Sequence, residues 1–396
     1  MPVLFAIVLI DLIGFGIVIP LLPFFGERFG ASPQLVTLLM ATYSFFQLFM
    51  APLWGRVSDR HGRRPVLLLS LLGMVAGYLW LGFADALWML FAARALQGTM
   101  AGNIAAAQAY VADVTTPENR AKGMGLIGAA FGLGFIIGPA LGGLLAGPDP
   151  AAPAVAAPAF LGAGLSALAL LGTLLFLKES LPAAARGRVR TGRLAAVSKA
   201  VRRAELRQLL LVFFVVTFAF AGMETTFALW ANRQFAWGAA QVGYVLTFVG
   251  VLSALVQGGL IGRLTRRFGE EQVLIAGTGA ILLGLIAIPF ATSLAILLGA
   301  TALLALGMGL TQPSLNSLVS RQSGAHEQGE VMGVAQSTGS LARILGPALA
   351  GFLFGHYGRN APYYAGAVLL LFVHILAHRL RRRDEPLLAP KSPQAR

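Results

Sequence analysis

The sequence predicts an all-α integral membrane protein in which twelve transmembrane helices form two pseudo-symmetric six-helix bundles. Three observations lead to this prediction: the composition, the number of long apolar stretches, and an internal repeat. Hydrophobic residues make up 57% of the 396 residues and charged residues only 12%, whereas a soluble domain carries about 25% charged residues. Mean hydropathy is +0.75. Cysteine is absent, which excludes disulfides and thiolate metal sites.

Twelve apolar stretches, numbered here as spans 1 to 12, are long enough to cross a hydrocarbon core of about 30 Å as helices. Helices are favoured because backbone groups in lipid must pair within their own segment, and the alternating pattern of barrel strands is missing. Short hinges around Asp85 and Ser293 separate spans 3 and 4 and spans 9 and 10. The stretches lie near residues 3–25, 33–54, 66–84, 86–110, 122–146, 156–177, 208–231, 239–261, 272–290, 293–317, 330–354 and 361–379.

The segment from Gly55 to Pro65 sets the predicted orientation. It holds four arginines and Asp59 between spans 2 and 3, and short basic loops stay on the cytoplasmic side. An even number of spans then puts both termini in the cytoplasm of a cell (inner or plasma) membrane. The formal net charge of +14 is attributed to this bias against an anionic leaflet, and no nucleic-acid partner is expected.

The two bundles are predicted at residues 1–178 and 208–380. Between them lies the only long polar segment, residues 179–207, which is rich in lysine and arginine. We interpret it as a cytoplasmic linker held against anionic lipid, with a regulatory partner site as the alternative. Residues 381–396 are predicted to form a basic cytoplasmic tail.

The two halves of the chain repeat. The stretch 131–143 recurs at 339–351, with Gly138-Pro139 matched by Gly346-Pro347 at a spacing of 208 residues. A degraded copy of residues 55–62 lies at 262–269, at a spacing of 207 residues. Two homologous six-helix bundles place a binding site near the midplane between them, which is the architecture of a transporter.

Four motifs, at residues 11–23, 55–65, 90–98 and 132–143, resemble those of the Major Facilitator Superfamily, in its twelve-helix drug/proton antiporter branch. The segment between spans 2 and 3 matches the family's G-x-L-a-D-r-x-G-r-k signature, with Val57 in place of leucine. Span 4 carries a matching pattern at 90–98 around its embedded arginine, and span 5 carries the glycine-rich antiporter pattern at 132–143. Span 1, from Asp11 to Pro23, is similar to that of tetracycline-efflux proteins in particular.

The resemblance implies a gate between spans 2 and 3 and an interface role for span 5. The gate would latch onto the start of span 11, near Glu330, when the protein is open to the outside; a plain solvated loop is the alternative. The span 5 element would hold the outer interface of the halves against leak, with ordinary helix packing as the alternative. The gating residues are Gly55, Asp59, Arg60, Gly62, Arg63 and Arg64, and the antiporter element is Gly134, Gly138, Pro139, Gly142 and Gly143.

Four ionisable residues are predicted inside spans: Asp11, Arg94, Glu224 and Arg343, in spans 1, 4, 7 and 11. A charge within the membrane is costly unless it is paired or hydrated, so each is a functional candidate. Each half contributes one acid and one base. A carboxyl group in a low-dielectric site can load and release a proton as access alternates, which predicts proton coupling. Static pairs that hold helices together are the alternative.

Polar residues within spans are candidates for the substrate cavity, or else for interhelical hydrogen bonds. Tetracycline-efflux proteins carry a histidine in span 8 and an aspartate in span 9, where this chain has Ser253 and Ile281. That departure puts transport of tetracycline as a metal chelate in doubt. The cavity candidates are Tyr43, Gln47, Asn103, Gln257, Gln312 and Asn316.

The predicted function is secondary active transport, by proton-coupled efflux of small lipophilic or cationic compounds through alternating access. The alternatives are an importer or facilitator of a sugar or organic acid, or a lipid flippase or a sensor on the same scaffold. No cofactor is expected, because the proton gradient would supply the energy. No enzyme activity or metal site is expected either, because the sequence has no Walker A or nucleophile-elbow pattern and its five histidines are scattered. Small-molecule substrates, protons and the bilayer are the expected partners of a monomer.

Overall fold

The computed structural model describes residues 2–147, 149, 154, 156–181, 202–322 and 328–384. Within those ranges the chain is helical between short turns and contains no β-strand. The predicted linker therefore lies outside the described residues from 182 to 201, and the predicted tail from 385 onward.

The spans follow in chain order. Spans 1 and 4 are each broken into two helices, span 8 contains a π-helical turn, and span 9 ends in a 3₁₀ turn. The bounds are Pro2–Val18 and Leu22–Arg28 (span 1), Pro33–His61 (2), Arg63–Gly82 (3), Leu87–Thr99 and Asn103–Val114 (4), Pro117–Ala146 (5), Ala156–Phe176 (6), Ala204–Phe235 (7), Ala239–Leu255, Val256–Leu260 and Ile261–Phe268 (8), Glu270–Ala287 and Ile288–Phe290 (9), Leu294–Arg321 (10), Gln328–Tyr357 (11) and Ala361–Asp384 (12).

The prediction of twelve membrane helices is confirmed. Among the described residues, ten helical stretches are long and apolar enough to cross a membrane by length and composition. Span 4, which is broken at residues 100–102, and span 11 complete the set. The predicted hinges are also present, since residues 83–86 and 291–293 are not helical.

The segment between spans 2 and 3 is not the loop that the sequence predicts. Span 2 continues as a helix to His61 and span 3 begins at Arg63, so Gly62 alone makes the turn. Gly62 has a φ of 109°, which glycine adopts without the steric penalty of a side chain. Span 2 is therefore about 43 Å long, and its arginine-bearing end projects beyond a hydrocarbon core of about 30 Å.

The two halves pack in the same pattern. In the first half, span 1 contacts spans 5 and 6, span 3 contacts spans 4 and 6, and span 2 contacts span 4. In the second half, span 7 contacts spans 11 and 12, span 9 contacts spans 10 and 12, and span 8 contacts span 10. The halves meet through spans 5 and 8 and through spans 2 and 11. The six-plus-six duplication therefore governs the packing as well as the sequence.

Candidate transport site

The space between the halves is closed at one membrane face. We call the face at which span 2 passes into span 3 the basic side, and the other face the opposite side. Near the opposite side, a Cβ at Gly143 of span 5 would lie 2.7 Å from Ala239 O of span 8. Thr247 Oγ1 donates to Ile136 O at 3.3 Å between the same two spans. Gly351 of span 11 is packed as closely against span 2.

Toward the basic side the same helices diverge. Gly132 and Gly125 continue the stripe of span 5 that touches span 8, yet a Cβ on either would meet no atom within 4 Å. The same is true of Gly258 on the facing stripe of span 8 and of Gly333 on span 11. We call the space between the halves, which is sealed on the opposite side and widens toward the basic side, the cavity.

Asp11 lies in span 1 where that helix faces span 4. Its side chain is buried, its Oδ2 atom accepts a hydrogen bond from Asn103 Nδ2, and its Oδ1 atom is buried without a partner. Asn103 reaches it because span 4 breaks after Thr99 and begins a new helix at Asn103. A helix N-terminus favours negative charge beside it, so the break in span 4 creates a place for an acidic side chain.

Arg94 is held by aromatic rings and an amide. Its guanidinium lies 4.7 Å from the ring centroid of Tyr43 and 5.9 Å from that of Phe15, within the range of a cation–π interaction. Its Nη1 donates to Gln97 Oε1 at 2.9 Å. No carboxylate of the described side chains lies within 4 Å of it, so Arg94 and Asp11 do not form an ion pair in this structure.

Glu224 and Arg343 are half-buried on spans 7 and 11 of the second half. Arg343 Nη2 donates to Ser340 Oγ at 3.4 Å, and the two charges interact electrostatically without a contact within 4 Å. The hydroxyl group of Tyr43 on span 2 lies close enough to Arg343, Asp11 and Arg94 for their charges to affect it. One tyrosine at the seam between the halves thus lies among three of the four predicted charges.

The other predicted cavity residues lie farther toward the basic side. Gln257 is exposed on the π-helical turn of span 8, a local geometry that occurs frequently at functional sites. Gln47 is half-buried on span 2, and Asn316 is exposed on span 10. Gln312 is half-buried, and its Oε1 atom has no hydrogen-bond partner. These four remain candidates and do not join the cluster around Tyr43.

Sequence reasoning missed the aromatic wall of the site. The ring centroid of Phe15 lies 5.1 Å from that of Tyr43 and 6.0 Å from that of Phe135. Nothing local distinguishes these two among 26 phenylalanines. The available signal was the spacing of Phe15 four residues after Asp11, which places both on one helix face.

An apolar groove of about 450 Å³ lies next to this region. Spans 2 and 4 form most of its lining, and Ile344 of span 11 completes it. Two of its lining residues, Thr42 and Ala95, are next in sequence to Tyr43 and Arg94. The groove and the charged cluster therefore lie on the same segments of spans 2 and 4.

Arg63 is the centre of the gating segment. Its guanidinium is buried and donates to Asp59 Oδ1 at 2.5 Å and to Asp113 Oδ2 at 2.9 Å. The Glu179 carboxylate accepts the backbone N–H groups of Arg63 and Arg64 at 2.8 and 3.1 Å. The turn is thereby tied to span 4 and to the residues after span 6, all within the first half.

The remaining gating residues make few contacts. Gly55 faces open space and Arg60 is exposed, whereas Arg64 Nη2 donates to Leu174 O at 2.7 Å. The side chain of Glu330, near the predicted latch point on span 11, lies outside the described residues. The latch therefore stays a prediction.

Replacing Glu179 with glutamine should remove an acid-sensitive clamp. Burial acts to raise the pKa of Glu179, but four backbone N–H donors outweigh it and hold that pKa below its ordinary value. A lowered folded-state pKa contributes stability that is present above the unfolded value, about 4.3, and is lost as the pH falls through the folded value. We expect E179Q to cost about 1 kcal/mol at pH 7 and to flatten the acid loss of thermal stability in detergent. E205Q, at an exposed helix N-terminus, should behave as wild type; an unchanged acid profile in E179Q would contradict the clamp.

Three glycines of the span 5 element pack inside the first half. Gly134, Gly138 and Gly142 follow one another at intervals of four residues and face span 1. A Cβ at Gly138 would lie 2.6 Å from the Cα of Gly16. Small residues at this spacing let helix backbones touch in a membrane, so these glycines fix span 1 and its Asp11.

The other two residues of the element lie at the seam between the halves. A Cβ at Gly243 of span 8 would lie 2.5 Å from Pro139 O and 3.1 Å from the Cα of Gly143. The predicted interface role therefore concerns Pro139 and Gly143. The three glycines described above belong instead to the scaffold of the first half.

An ion pair crosses the seam at the opposite side. Arg233 Nη2 of span 7 lies 3.4 Å from Glu27 Oε1 of span 1, and its guanidinium lies 4.6 Å from the ring centroid of Phe354. Both charges are partly exposed, so the pair contributes about 1 kcal/mol or less.

We expect E27Q to favour opening of the opposite side. A single cysteine introduced at Ala240, which is buried at the seam, can report this, because the chain has no other cysteine. A loss of about 1 kcal/mol corresponds to up to about fivefold faster thiol labelling. R28Q, which removes the neighbouring exposed charge, should label at the wild-type rate, and equal rates in E27Q and wild type would argue against the lock.

Comparison with known proteins places this architecture in a family. The sequence model of the Major Facilitator Superfamily matches residues 4–347 and 233–396. The class H tetracycline resistance protein of Pasteurella multocida is 30% identical over 99% of this chain and 98% of its own length. The class C protein of Escherichia coli is 35% identical over 88% of this chain and 87% of its own length. The crystal structure of the human organic anion transporter MFSD10 is 28% identical, with a TM-score of 0.74 over 95% of this chain and 98% of that one.

These findings agree with the duplicated helices and with the cavity between the two halves. The protein is a multi-pass membrane transporter of small molecules and not an enzyme. The chain belongs to the Major Facilitator Superfamily.

Proposed function

We propose that this transporter exports small lipophilic or cationic compounds from the cell in exchange for protons. The observation that carries the proposal is the Asp11 carboxyl group, which is buried beside the cavity, held by one amide, and without a cation within 4 Å. Removing a carboxylate from water without a paired cation is costly. Such a group is therefore suited to take up a proton on one side of the membrane and release it on the other.

Glu224 supplies the second carboxyl group in the proposal. It is half-buried on the other half of the cavity, where a cationic substrate and a proton would compete for it. By linkage, each ligand lowers the affinity of the other. Competition of this kind couples export of the substrate to uptake of protons.

The proposed preference for lipophilic compounds is supported by the rings of Phe15, Tyr43 and Phe135 beside the cavity and by the apolar groove next to them. Export is supported by the relatives named above as resistance proteins. Metal-chelated tetracycline is not proposed, because Ile281 is fully buried and Ser253 Oγ donates to Ala305 O at 3.2 Å. Neither residue supplies a titratable group or a metal ligand.

In this proposal the basic side and both termini face the cytoplasm of a cell membrane. The state with its cavity open to the basic side would take up substrate and release protons there. Rocking of the two halves around Tyr43 and the four charges would then open the opposite side. The segment around Asp59 and Arg63 would close the basic side during that step.

A second candidate function is export of organic anions. Arg343 is half-buried, and no carboxylate of the described side chains lies within 4 Å of its guanidinium. An arginine with free donors at a cavity binds carboxylates well. The similar human protein is named an organic anion transporter, which supports testing this class beside cations.

Purified protein in liposomes with an internal pH dye tests both candidates. A lipophilic cation and an aromatic carboxylate are added in turn under an imposed proton gradient, and the double variant D11N/E224Q is the control. Proton movement opposite to the cation, lost in the control, is the expected result. Coupling to the carboxylate alone would favour organic anions, and movement in the substrate's direction would make the protein an importer. No proton movement with any compound would leave a facilitator or a lipid flippase and overturn the proposed antiport.

A further inference from the structure

Among the seven buried polar side-chain atoms that have no hydrogen-bond partner in the described part of the first half, four belong to side chains of one region. They are Asp11 Oδ1, Tyr78 Oη, Arg94 Nε and Gln97 Nε2. Each of these side chains is at most 5% exposed. Buried polar groups in folded proteins are nearly always paired, so a set of complementary donors and acceptors without partners calls for a physical account.

Tyr78 of span 3 lies in a slot made by two glycines. A Cβ at Gly14 of span 1 would lie 3.4 Å from Tyr78 Oη, and a Cβ at Gly162 of span 6 would lie 3.1 Å from its ring. Gly14 follows Asp11 by one helical turn on the same face. The hydroxyl group is therefore directed at span 1 close to the level of Asp11, and Tyr78 interacts electrostatically with both Asp11 and Arg94.

The neighbouring residue of span 3 makes the second connection. Gly77 leaves room for the Gln97 side chain, because a Cβ there would lie 2.6 Å from Gln97 Cγ and 3.5 Å from its Nε2. Gln97 in turn accepts a hydrogen bond from Arg94 at 2.9 Å. One turn of span 3 thus touches span 1 near the acid and also the amide that holds the base.

We propose that the Tyr78 hydroxyl group is a positioning residue that links the Asp11 carboxyl group to the Arg94–Gln97 pair. None of these four atoms has a direct hydrogen-bond partner. The hydroxyl therefore donates toward Asp11 Oδ1 and accepts from Gln97 Nε2 or Arg94 Nε through an enclosed water, which would find the partners it needs there. The link stabilises the deprotonated carboxylate, so proton release from Asp11 depends on Arg94. This inference rests on the proposed proton-coupled transport.

Few groups near Asp11 can produce such a pH dependence, and Glu224 on the other half is the same in every variant compared below. Tyr43 of span 2 and Tyr78 of span 3 are the titratable groups that interact with Asp11, and Arg94 of span 4 interacts with both tyrosines. Asn103 of span 4, which donates to Asp11, does not titrate. Spans 5 and 6 pack on span 1 but contain no titratable residue at 123–146 or 156–176.

Tyr78→Phe tests the link by removing one hydroxyl group and nothing else. The pH midpoint of proton-coupled transport in liposomes is measured together with substrate exchange at equal pH. Without the donor, Asp11 holds its proton to higher pH, so we expect the midpoint to move to alkaline pH by roughly one unit while exchange continues. Tyr244→Phe, at a residue 55% exposed on span 8, should keep the wild-type midpoint.

A second variant covers the case in which Tyr78→Phe does not fold. Gln97→Met breaks the same link from the other end and should also move the midpoint to alkaline pH. In the double variant the two shifts should not add, because both changes interrupt one connection. A wild-type pH profile in either folded single variant, with coupling lost in D11N, would overturn the link and leave the proposed antiport standing. Coupling that survives in D11N would overturn the link and the role of Asp11, whereas the proposed antiport itself falls only if no proton movement accompanies transport in the wild-type protein.

Discussion

Replacing Gly138 with leucine should prevent stable assembly of the first bundle. Spans 1 and 5 touch there through their backbones: a Cβ at position 138 would lie 2.6 Å from the Cα of Gly16 and 2.8 Å from Ile13 O. Because the obstructing atoms are backbone atoms, no change of rotamer can relieve the clash, and the helices must separate. Overpacking costs about 1–3 kcal/mol where side chains can adjust, so we expect the loss to reach or exceed the upper end of that range. Thermal unfolding and the monodisperse fraction in detergent measure it.

Gly132 provides a matched control in the same helix. A Cβ at that position would meet no atom within 4 Å. Leucine has a higher helix propensity than glycine, by up to about 1 kcal/mol, so G132L should unfold at the wild-type temperature or slightly above it. Equal losses in G132L and G138L would show that added volume anywhere in span 5 is harmful and would count against the backbone contact.

This scaffold could be predicted because the chain contains it twice. Gly346, which corresponds to Gly138, packs against the backbone of Phe218 in span 7 just as Gly138 packs against span 1. Gly351 corresponds to Gly143, and both lie at the seam between the halves. Because the repeat has one spacing, it predicted which helices pack in the same way in the two halves. A single hydropathy peak predicts a helix but not its neighbours.

The repeat also includes one ion pair on the basic side of each half, but the acidic and basic residues occupy opposite positions in the two halves. Arg63 pairs with Asp113 in the first half, and Glu270 pairs with Arg321 in the second. Glu270 follows Arg63 by 207 residues, and Arg321 follows Asp113 by 208. The two positions are the same in both halves, but the base and the acid have exchanged places. A search for repeated residue types therefore does not find these pairs.

The transport site could be predicted only in part, because its charges do not follow the repeat. The positions that correspond to Asp11 and Arg94 hold Ala219 and Ala302 in the second half. Composition identified the charges as unusual within spans, but their partners come from elsewhere in the chain. Asn103 lies 92 residues from Asp11 and reaches it through a break in span 4.

The turn after span 2 shows the same limit at the surface. A run of arginines with two glycines is typical of a loop, yet one glycine with positive φ is enough to make the turn. Glu179, which caps the next helix, lies 116 residues from Arg63. Local patterns contain no record of such a contact, so sequence reasoning assigned Glu179 to the linker.

Asp11→Asn should abolish transport against a gradient while leaving exchange intact. Asparagine keeps the size of the side chain and can still accept a hydrogen bond from Asn103, so the fold around span 1 should persist. It cannot carry a proton, however, and the proton gradient then has no means of driving the substrate. One pH unit corresponds to 1.36 kcal/mol, so two units can sustain up to about a hundredfold accumulation in one-for-one exchange. We expect D11N to collapse that ratio to about one.

Two matched variants separate the proton carrier from general damage. Asp85→Asn makes the same chemical change at an exposed hinge residue and should accumulate substrate as wild type does. Substrate exchange at equal pH, measured in the same vesicles, shows whether the variant still binds and turns over.

If D11N exchanges and also accumulates substrate, Asp11 does not carry the proton. E224Q then becomes decisive: collapse of the ratio in that variant assigns the role to Glu224 on the other half, where Arg343 interacts with it electrostatically. Persistence of the ratio in both single variants would mean that neither carboxyl group is required by itself to carry the proton.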